Sequence, residues 1–442
     1  MTRHVAWNLM RSGSAAPTQD VAQACQDAEL DSRDRGLVAR MVRTEIQRRG
    51  TLHALVQSFA NGKPNRDLSA FLRLGFTQLL FMDRVPNHAA VSETVRAASD
   101  ELGLSKGRYV NGVLRTALRA MVEESSGDPR RDIVGRSVAF NFEIFHDPEQ
   151  HPLLWAEEAL SIPATLYKGW LKRHGEDLAR SLAEGALGDP RLSMRVVRGT
   201  RAEQIAEFTE LGFSTECGQH GDILTAAPED LEQALASEAF TSGRVTVQGE
   251  AALRAAELCG AKAGERWLDL CAAPGGKTAV LALTGASVLA CDVNEAKLDR
   301  LSQTLERLNA LEHVETRVLE DRMPPLETDF DGVLLDVPCS NTGVLARRPE
   351  ARWRYGPKTR RQLAEVQSEL LRHGAERVRP GGALVYSTCS LEPDENQQRV
   401  KSFLEEFPGW TLEQSHLILP QSSDAGGPVD GGFAARLIRA HS

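Results

Sequence analysis

Two cysteines stand at matching places in the chain, each a few residues past an apolar run: Val333-Leu334-Leu335-Asp336-Val337-Pro338-Cys339-Ser340 and Ala383-Leu384-Val385-Tyr386-Ser387-Thr388-Cys389-Ser390. One cysteine in an α/β domain is ordinarily a small packed hydrophobe. Two at the ends of strands that would be neighbours, with Asp336 three residues before one of them, form a set suited to covalent chemistry. A thiolate adds to an electron-poor centre, and a neighbouring acid or second thiol handles the charge and proton changes that follow. Cys25, Cys217, Cys259, Cys271 and Cys291 are assigned no thiol chemistry, and the seven cysteines contain no C-x-x-C pair that would suggest a zinc site or a disulfide framework.

Ligands of an open α/β sheet bind beyond the carboxyl ends of its strands. There the sequence offers a small-residue turn, Cys271-Ala272-Ala273-Pro274-Gly275-Gly276-Lys277, which lets backbone come close to a ligand, and Asp292, an acid suited to the two hydroxyls of a ribose. Gly276-Lys277-Thr278 also resembles the tail of a P-loop, with Val333 to Asp336 as its magnesium-binding strand, which would make the chain a nucleotide hydrolase. Cys271 stands where that motif needs glycine, however, and Pro274 removes an N–H that would cradle phosphate. The ribose-type acid favours a nucleoside cofactor.

Elements that could hold these residues begin at Val245, where apolar strands alternate with helices in the manner of a parallel sheet. The expected strands are 266–270, 287–291, 314–319, 332–335 and 383–386, with a terminal pair at 410–413 and 433–438. Residues 19–124 instead carry apolar side chains at helical spacing, broken at Gly50, Asn61-Gly62, Val85-Pro86-Asn87 and Gly103 to Gly107, and so predict an all-α bundle. Between them lies mixed pattern. The expected division is therefore an all-α domain over 1–132, a linker with a small α+β domain over 133–244, and an α/β Rossmann-like domain over 245–442.

A chain of 442 residues exceeds one hydrophobic core, and 41% apolar with 26% charged residues excludes disorder, coiled coil and collagen. No apolar run reaches membrane-spanning length, and residues 1–17 lack the apolar centre of a signal peptide, so the expectation is a cytoplasmic protein with no membrane and no metal partner, working as a monomer. The formal charge of −9 argues against nucleic acid until its distribution is read. Residues 345–361 hold seven basic residues against Glu350, and 32–49 hold six against Asp34 and Glu45. Arg347 and Arg348 follow Cys339 closely, which makes them, with Lys277, the candidates for RNA phosphates.

Pyrimidine methylation would use all of these parts. Cytosine C5 is a poor nucleophile, but thiolate addition at C6 makes the ring an enamine able to attack an activated methyl group. Asp336 can hydrogen-bond the N3/N4 edge of the adduct, and Cys339 is placed to help expel the thiol afterwards.

The same residues resemble the bacterial RsmB/Sun (Fmu) family of ribosomal RNA cytosine-C5 methyltransferases, in the NOL1/NOP2/Sun group. The likeness runs through Val245 to Gln248, Leu268 to Thr278, Asp336 to Gly343, Tyr386 to Ser390, Glu395-Asn396 and Asp430 to Phe433. The N-terminal segment resembles the NusB RNA-binding bundle through Asp34-Arg35, Leu72 to Gly75, Asp83 to Pro86 and Val110 to Arg115. The resemblance implies a class I methyltransferase fold that binds S-adenosylmethionine, with Cys271 to Lys277 as the cofactor loop, Asp292 on the ribose, Asp321 near the adenine and Asp336 between cofactor and base. It implies Cys389 as nucleophile, Cys339 as the release cysteine, and an RNA substrate, ribosomal RNA by that likeness. Val337 and Asn341 depart from the usual Asp-Ala-Pro-Cys-Ser-Gly/Ala-Thr-Gly and border the base pocket. A non-catalytic RNA-binding assembly factor is the alternative of a different kind, and retention of both cysteines argues against it.

Overall fold

The computed structural model describes residues 1–14, 16–320, 326–422 and 428–441. They form two compact units, one of Met1–Gly188 with Arg348–Tyr355, the other of Asp189–Arg347 with Gly356–Ser442. Asp321 lies outside the described residues.

The first unit is helical: α1 (Thr2–Ser12), α2 (Pro17–Asp27), α3 (Ser32–Gln47), α4 (Arg49–Phe59), α5 (Arg66–Phe81), α6 (Asn87–Leu102), α7 (Leu104–Ala120), α8 (Pro152–Ala159) and α9 (Ala164–Gly185), with a two-residue strand pair β1 (Met121–Val122) and β2 (Ala139–Phe140). Helix starts follow side-chain caps, Asp31 accepting from the Asp34 N–H and Asn65 from the Leu68 N–H. Gly103 takes φ 87° and separates α6 from α7, as the sequence break there implies. Helix α1 lies ahead of the residues whose periodicity predicted the bundle; it buries Val5, Trp7, Leu9 and Met10, and Trp7 stacks on Phe71 with ring centroids 4.6 Å apart.

Residues 348–355, which carry the short helix α16 (Ala351–Arg354), pack within this unit. The Arg352 side chain is fully buried and donates to the carbonyl oxygens of Gln47, Ser161 and Ala186 at 3.0, 3.3 and 2.8 Å. The Trp353 indole donates to the Ile46 carbonyl at 2.7 Å. Gln47 ends α3 and Ala186 caps α9, so the guanidinium meets carbonyls left over where two helices stop.

The second unit holds a four-stranded antiparallel sheet, of β3 (Leu192–Val196), β4 (Thr215–Cys217), β5 (Ile223–Ala226) and β6 (Val245–Val247) in the order β4-β5-β3-β6, with α10 (Arg201–Glu210), α11 (Leu231–Ala236) and α12 (Glu238–Thr241). All five residues of β3 are buried, Arg195 included.

Beyond it lies a seven-stranded sheet ordered β12-β15-β11-β10-β7-β8-β9, where β7 is Arg266–Asp269, β8 Ser287–Asp292, β9 Val314–Val318, β10 Phe330–Asp336, β11 Val378–Thr388, β12 Trp410–Ile418 and β15 Gly432–Arg439. Six strands of this sheet share one direction and β15 runs against them between β11 and β12; β13 (Gln421–Ser422) and β14 (Pro428–Val429) pair separately. Alternate strand residues feed two cores: Trp267, Val288, Leu334 and Val385 pack in one, and Leu268, Leu289, Leu335 and Leu384 in the other. Helices α13 (Glu250–Glu257), α14 (Gly276–Ala282), α15 (Glu295–Arg307), α17 (Pro357–Arg377) and α18 (Gln397–Glu406) complete the unit. This is the α/β Rossmann-like arrangement expected from the sequence, and strand order turns back between β7 and β10, the place where such sheets bind ligands. No described helix is long and apolar enough to cross a membrane.

Candidate active site

Every group of the candidate site that can be placed belongs to the second unit, except Arg348. Parallel pairing sets Asp336 at the end of β10 beside Ser387 of β11, and the Ser387 hydroxyl donates to Asp336 Oδ1 at 2.8 Å. Lys277, on the first turn of α14, donates from Nζ to the other carboxylate oxygen at 2.7 Å. Burial works against the lysine charge, yet the adjoining Asp336 carboxylate outweighs it and holds the ammonium above its usual range. Both oxygens of Asp336 are thus fixed in direction. The Lys277 side chain keeps only 15% exposure, and Asp336 takes its charge-assisted bond.

The two cysteines come together beside this pair, with Sγ atoms 3.1 Å apart. Cys339 is buried while Cys389 keeps partial exposure. The hydrogen bond to Cys389 and burial push the Cys339 thiol well above its usual value, so Cys339 keeps its proton. Asn341 takes left-handed φ 60°, a conformation that asparagine tolerates; its Nδ2 donates to the Cys339 carbonyl at 2.7 Å, which turns Oδ1 to the Cys389 Sγ–H at 3.2 Å. The loop returns through Gly343, whose N–H donates to the Cys389 carbonyl at 2.9 Å and whose carbonyl accepts from the Gly431 N–H at 2.8 Å. A Cβ there would stand 2.7 Å from the Gly431 oxygen, so only glycine lets the three segments meet.

A cavity of about 110 Å³ opens against Lys277, Asp336 and Cys389, walled otherwise by small side chains such as Ala251, Ala252 and Ala255. Serines following each cysteine, Ser340 and Ser390, both reach the buried carboxyl of Glu395.

The turn after β7 fits the nucleoside cofactor that the sequence implies. Gly275 adopts φ 96°, and the Asp269 carboxylate beneath the turn accepts from the Thr278 hydroxyl at 2.8 Å and the Cys271 N–H at 3.4 Å, tying strand to helix. Asp292 ends β8, next in the sheet, with Oδ1 accepting from the Asn294 N–H at 3.0 Å. Carboxylate acceptors at one strand end and a close-packed glycine turn at the next match a ligand that offers a hydroxyl pair and needs near approach to backbone.

The arginine candidates are distributed differently from what charge density implied. Arg347 donates to Asp430 Oδ2 at 2.7 Å and to the Arg191 carbonyl at 3.2 Å, Arg360 pairs with Asp394, and Arg348 belongs to the first unit. Arg352 is a correction to that reading: it is fully buried on backbone carbonyls and so cannot meet a phosphate in this fold. In the other basic stretch, Arg48 is buried on the Val134 carbonyl and Arg49 pairs with Glu45. Sequence reasoning missed Asp269, Ser387 and Glu395 as parts of the site; the repeated Cys-Ser after each strand was the available sign for the last.

Comparison with known proteins agrees with this architecture. Residues 257–430 match the model of the 16S rRNA methyltransferase RsmB/F family, and residues 5–119 match that of the NusB family. The chain is 30% identical over 398 residues to the probable ribosomal RNA small subunit methyltransferase B of Bacillus subtilis (strain 168), covering 88% of this chain and 83% of that protein. It is 32% identical over 429 residues to ribosomal RNA small subunit methyltransferase B of Vibrio cholerae serotype O1, covering 93% and 91%. Among solved structures, PH0851 superposes with a TM-score of 0.72 at 22% identity over 99% of this chain and 98% of that one. NSun6 from Pyrococcus horikoshii, solved with SFG, gives 0.53 at 19% identity over 63% and 99%. A helical NusB domain, a mixed sheet with β15 reversed, and about 30% identity over most of two full-length relatives lead to one assignment: the chain belongs to the RsmB/F family of 16S rRNA methyltransferases.

Proposed function

We propose that this methyltransferase transfers the methyl group of S-adenosylmethionine to C5 of a cytosine in small-subunit ribosomal RNA, through a covalent adduct between Cys389 and C6 of the base. The observation that carries the reading is the thiol pair 3.1 Å apart, next to Asp336, at the carboxyl edge of the sheet. Cys389 is the partly exposed member and Cys339 the buried, proton-bearing one, which suits attack by the first and release by the second.

In the reaction, the Cys389 thiolate forms a bond to C6 and the ring electrons move to C5, while Asp336, held by Lys277 and Ser387, hydrogen-bonds the N3/N4 edge. S-adenosylmethionine would supply the electrophilic methyl group, and the residues that would hold it are Cys271 to Lys277 and Asp292. Once C5 is methylated, its proton passes to solvent, the C5–H electrons re-form the C5–C6 double bond, the C6–S bond breaks and Cys389 returns as a thiolate. Cys339, close enough to donate to that sulfur, stabilises the leaving group. The N-terminal NusB domain and the Arg347-Arg348 pair are the proposed RNA contacts.

The test separates the two thiols. Cys389→Ala is expected to abolish methylation and form no adduct, whereas Cys339→Ala accumulates a protein–RNA species that survives denaturing electrophoresis. The inverse pattern would reassign the nucleophile, and no adduct with either variant would sink the covalent mechanism.

A further inference from the structure

We propose that Glu395 is a positioning residue for adduct release, a carboxylate brace that keeps the Cys339 and Cys389 thiols in contact; this rests on the reading above, in which Cys389 attacks and Cys339 assists release. Glu395 is 2% exposed and follows β11 by a few residues. Its Oε1 accepts from the Ser340 N–H at 2.9 Å and the Gln367 amide at 3.1 Å, and its Oε2 accepts from the hydroxyls of Ser340 and Ser390. Those serines directly follow the two cysteines, and their hydroxyls lie 3.0 Å apart. One carboxyl group therefore grips both thiol-bearing segments, one residue from each sulfur.

The surroundings fix the brace in turn. Gln367 of α17 also donates to the Pro338 carbonyl at 2.9 Å, the Tyr386 hydroxyl donates to the Glu395 carbonyl at 2.6 Å, and the Thr388 hydroxyl donates to Asn396 Oδ1 at 2.6 Å. Packing alone has no need of an acid here. A buried carboxylate is costly, and burial does push this one up against the pull of its donors. What it offers is four donors on two oxygens, which an amide cannot match, since an amide has one acceptor oxygen and its NH₂ would oppose a donor. Its charge also acts on the release thiol, adding to the effects that keep Cys339 protonated.

The experiment compares wild type with Glu395→Gln in two readouts. Without RNA, diamide takes one hydrogen from each thiol, joining the sulfurs and becoming the hydrazine, and mass spectrometry of the Cys339–Cys389 peptide gives the rate. Glu395→Gln is expected to slow this closure about tenfold, and with RNA to accumulate the denaturation-resistant adduct while steady-state turnover falls roughly 10–100-fold. First-turnover methyl transfer should change much less. Ser340→Ala and Ser390→Ala remove one hydroxyl each and should shift both readouts the same way, which keeps the test available if Glu395→Gln does not fold. Unchanged closure and no adduct in folded variants would overturn the proposal. Slowed closure with no adduct even in Cys339→Ala would uphold the brace and sink the covalent mechanism instead.

Discussion

Asp269 shows how a side chain that touches no reacting atom can still set the working range of the site. It is 1% exposed under the Cys271–Lys277 turn, and burial, with the Asp336 charge in the same direction, pushes its carboxyl up to about 7. An acid raised in the folded state binds more protons there than in the unfolded chain between its ordinary value, about 4, and about 7, so stability is present at low pH and declines as pH rises through that window. The cost at neutral pH is on the order of a few kcal/mol. Asp269→Asn should lose less stability than wild type between pH 5 and pH 8 in urea unfolding; parallel losses would show that Asp269 is not responsible. Such a residue is hard to see in sequence. Asp336, Asp292 and the two cysteines were legible because each stands at the end of a recognisable strand with no packing reason for its type. Asp269 and Glu395 draw their roles from partners 9 and 55 positions away, Thr278 and Ser340; the repeated Cys-Ser hinted at the second, and no local pattern announces the first.

At the scale of elements, strands proved more legible than charge. Strands β7, β8, β10 and β11 are buried on both faces, so their apolar runs are strong signals, and they fall within a few residues of expectation, as does the more exposed edge strand β9. Helix α1 was missed because Arg3, His4, Asn8 and Arg11 interrupt a short apolar stripe. The basic run 345–361 misled in part, since an arginine's sign says nothing of whether phosphate, carboxylate or backbone carbonyl will take it. For Arg347 and Arg348 the expectation stands as a prediction: replacing both with alanine should weaken RNA binding and reduce the slope of log affinity against log salt by about one for each phosphate no longer neutralised. An unchanged slope measured over a salt titration would reduce them to structural residues.

Over the whole molecule, the bundle and the α/β sheet were both foreseen, and the sequence drew borders at 132/133 and 244/245. The compact units divide after Gly188 and exchange eight residues, Arg348–Tyr355. Nothing in a linear pattern marks such an exchange, because Arg352 and Trp353 read as one more polar stretch until their partners are known.

That exchange makes the first unit a receptor whose bound peptide is encoded 160 residues further along the chain, counted from Gly188 to Arg348. Split between 188 and 189, the protein becomes two polypeptides of which the larger still carries the peptide, so the pieces should reassemble when co-expressed, as complementing fragments do. An affinity tag on 1–188 is expected to retain 189–442. Arg352→Ala in the larger piece leaves the Gln47 and Ser161 carbonyls without the guanidinium, while the Ala186 carbonyl keeps only the Gln47 amide at 3.2 Å; at a cost of roughly 1–3 kcal/mol for each buried group left unsatisfied, it should release the fragment. Retention undiminished by that substitution would mean that the eight residues are held by something other than the arginine.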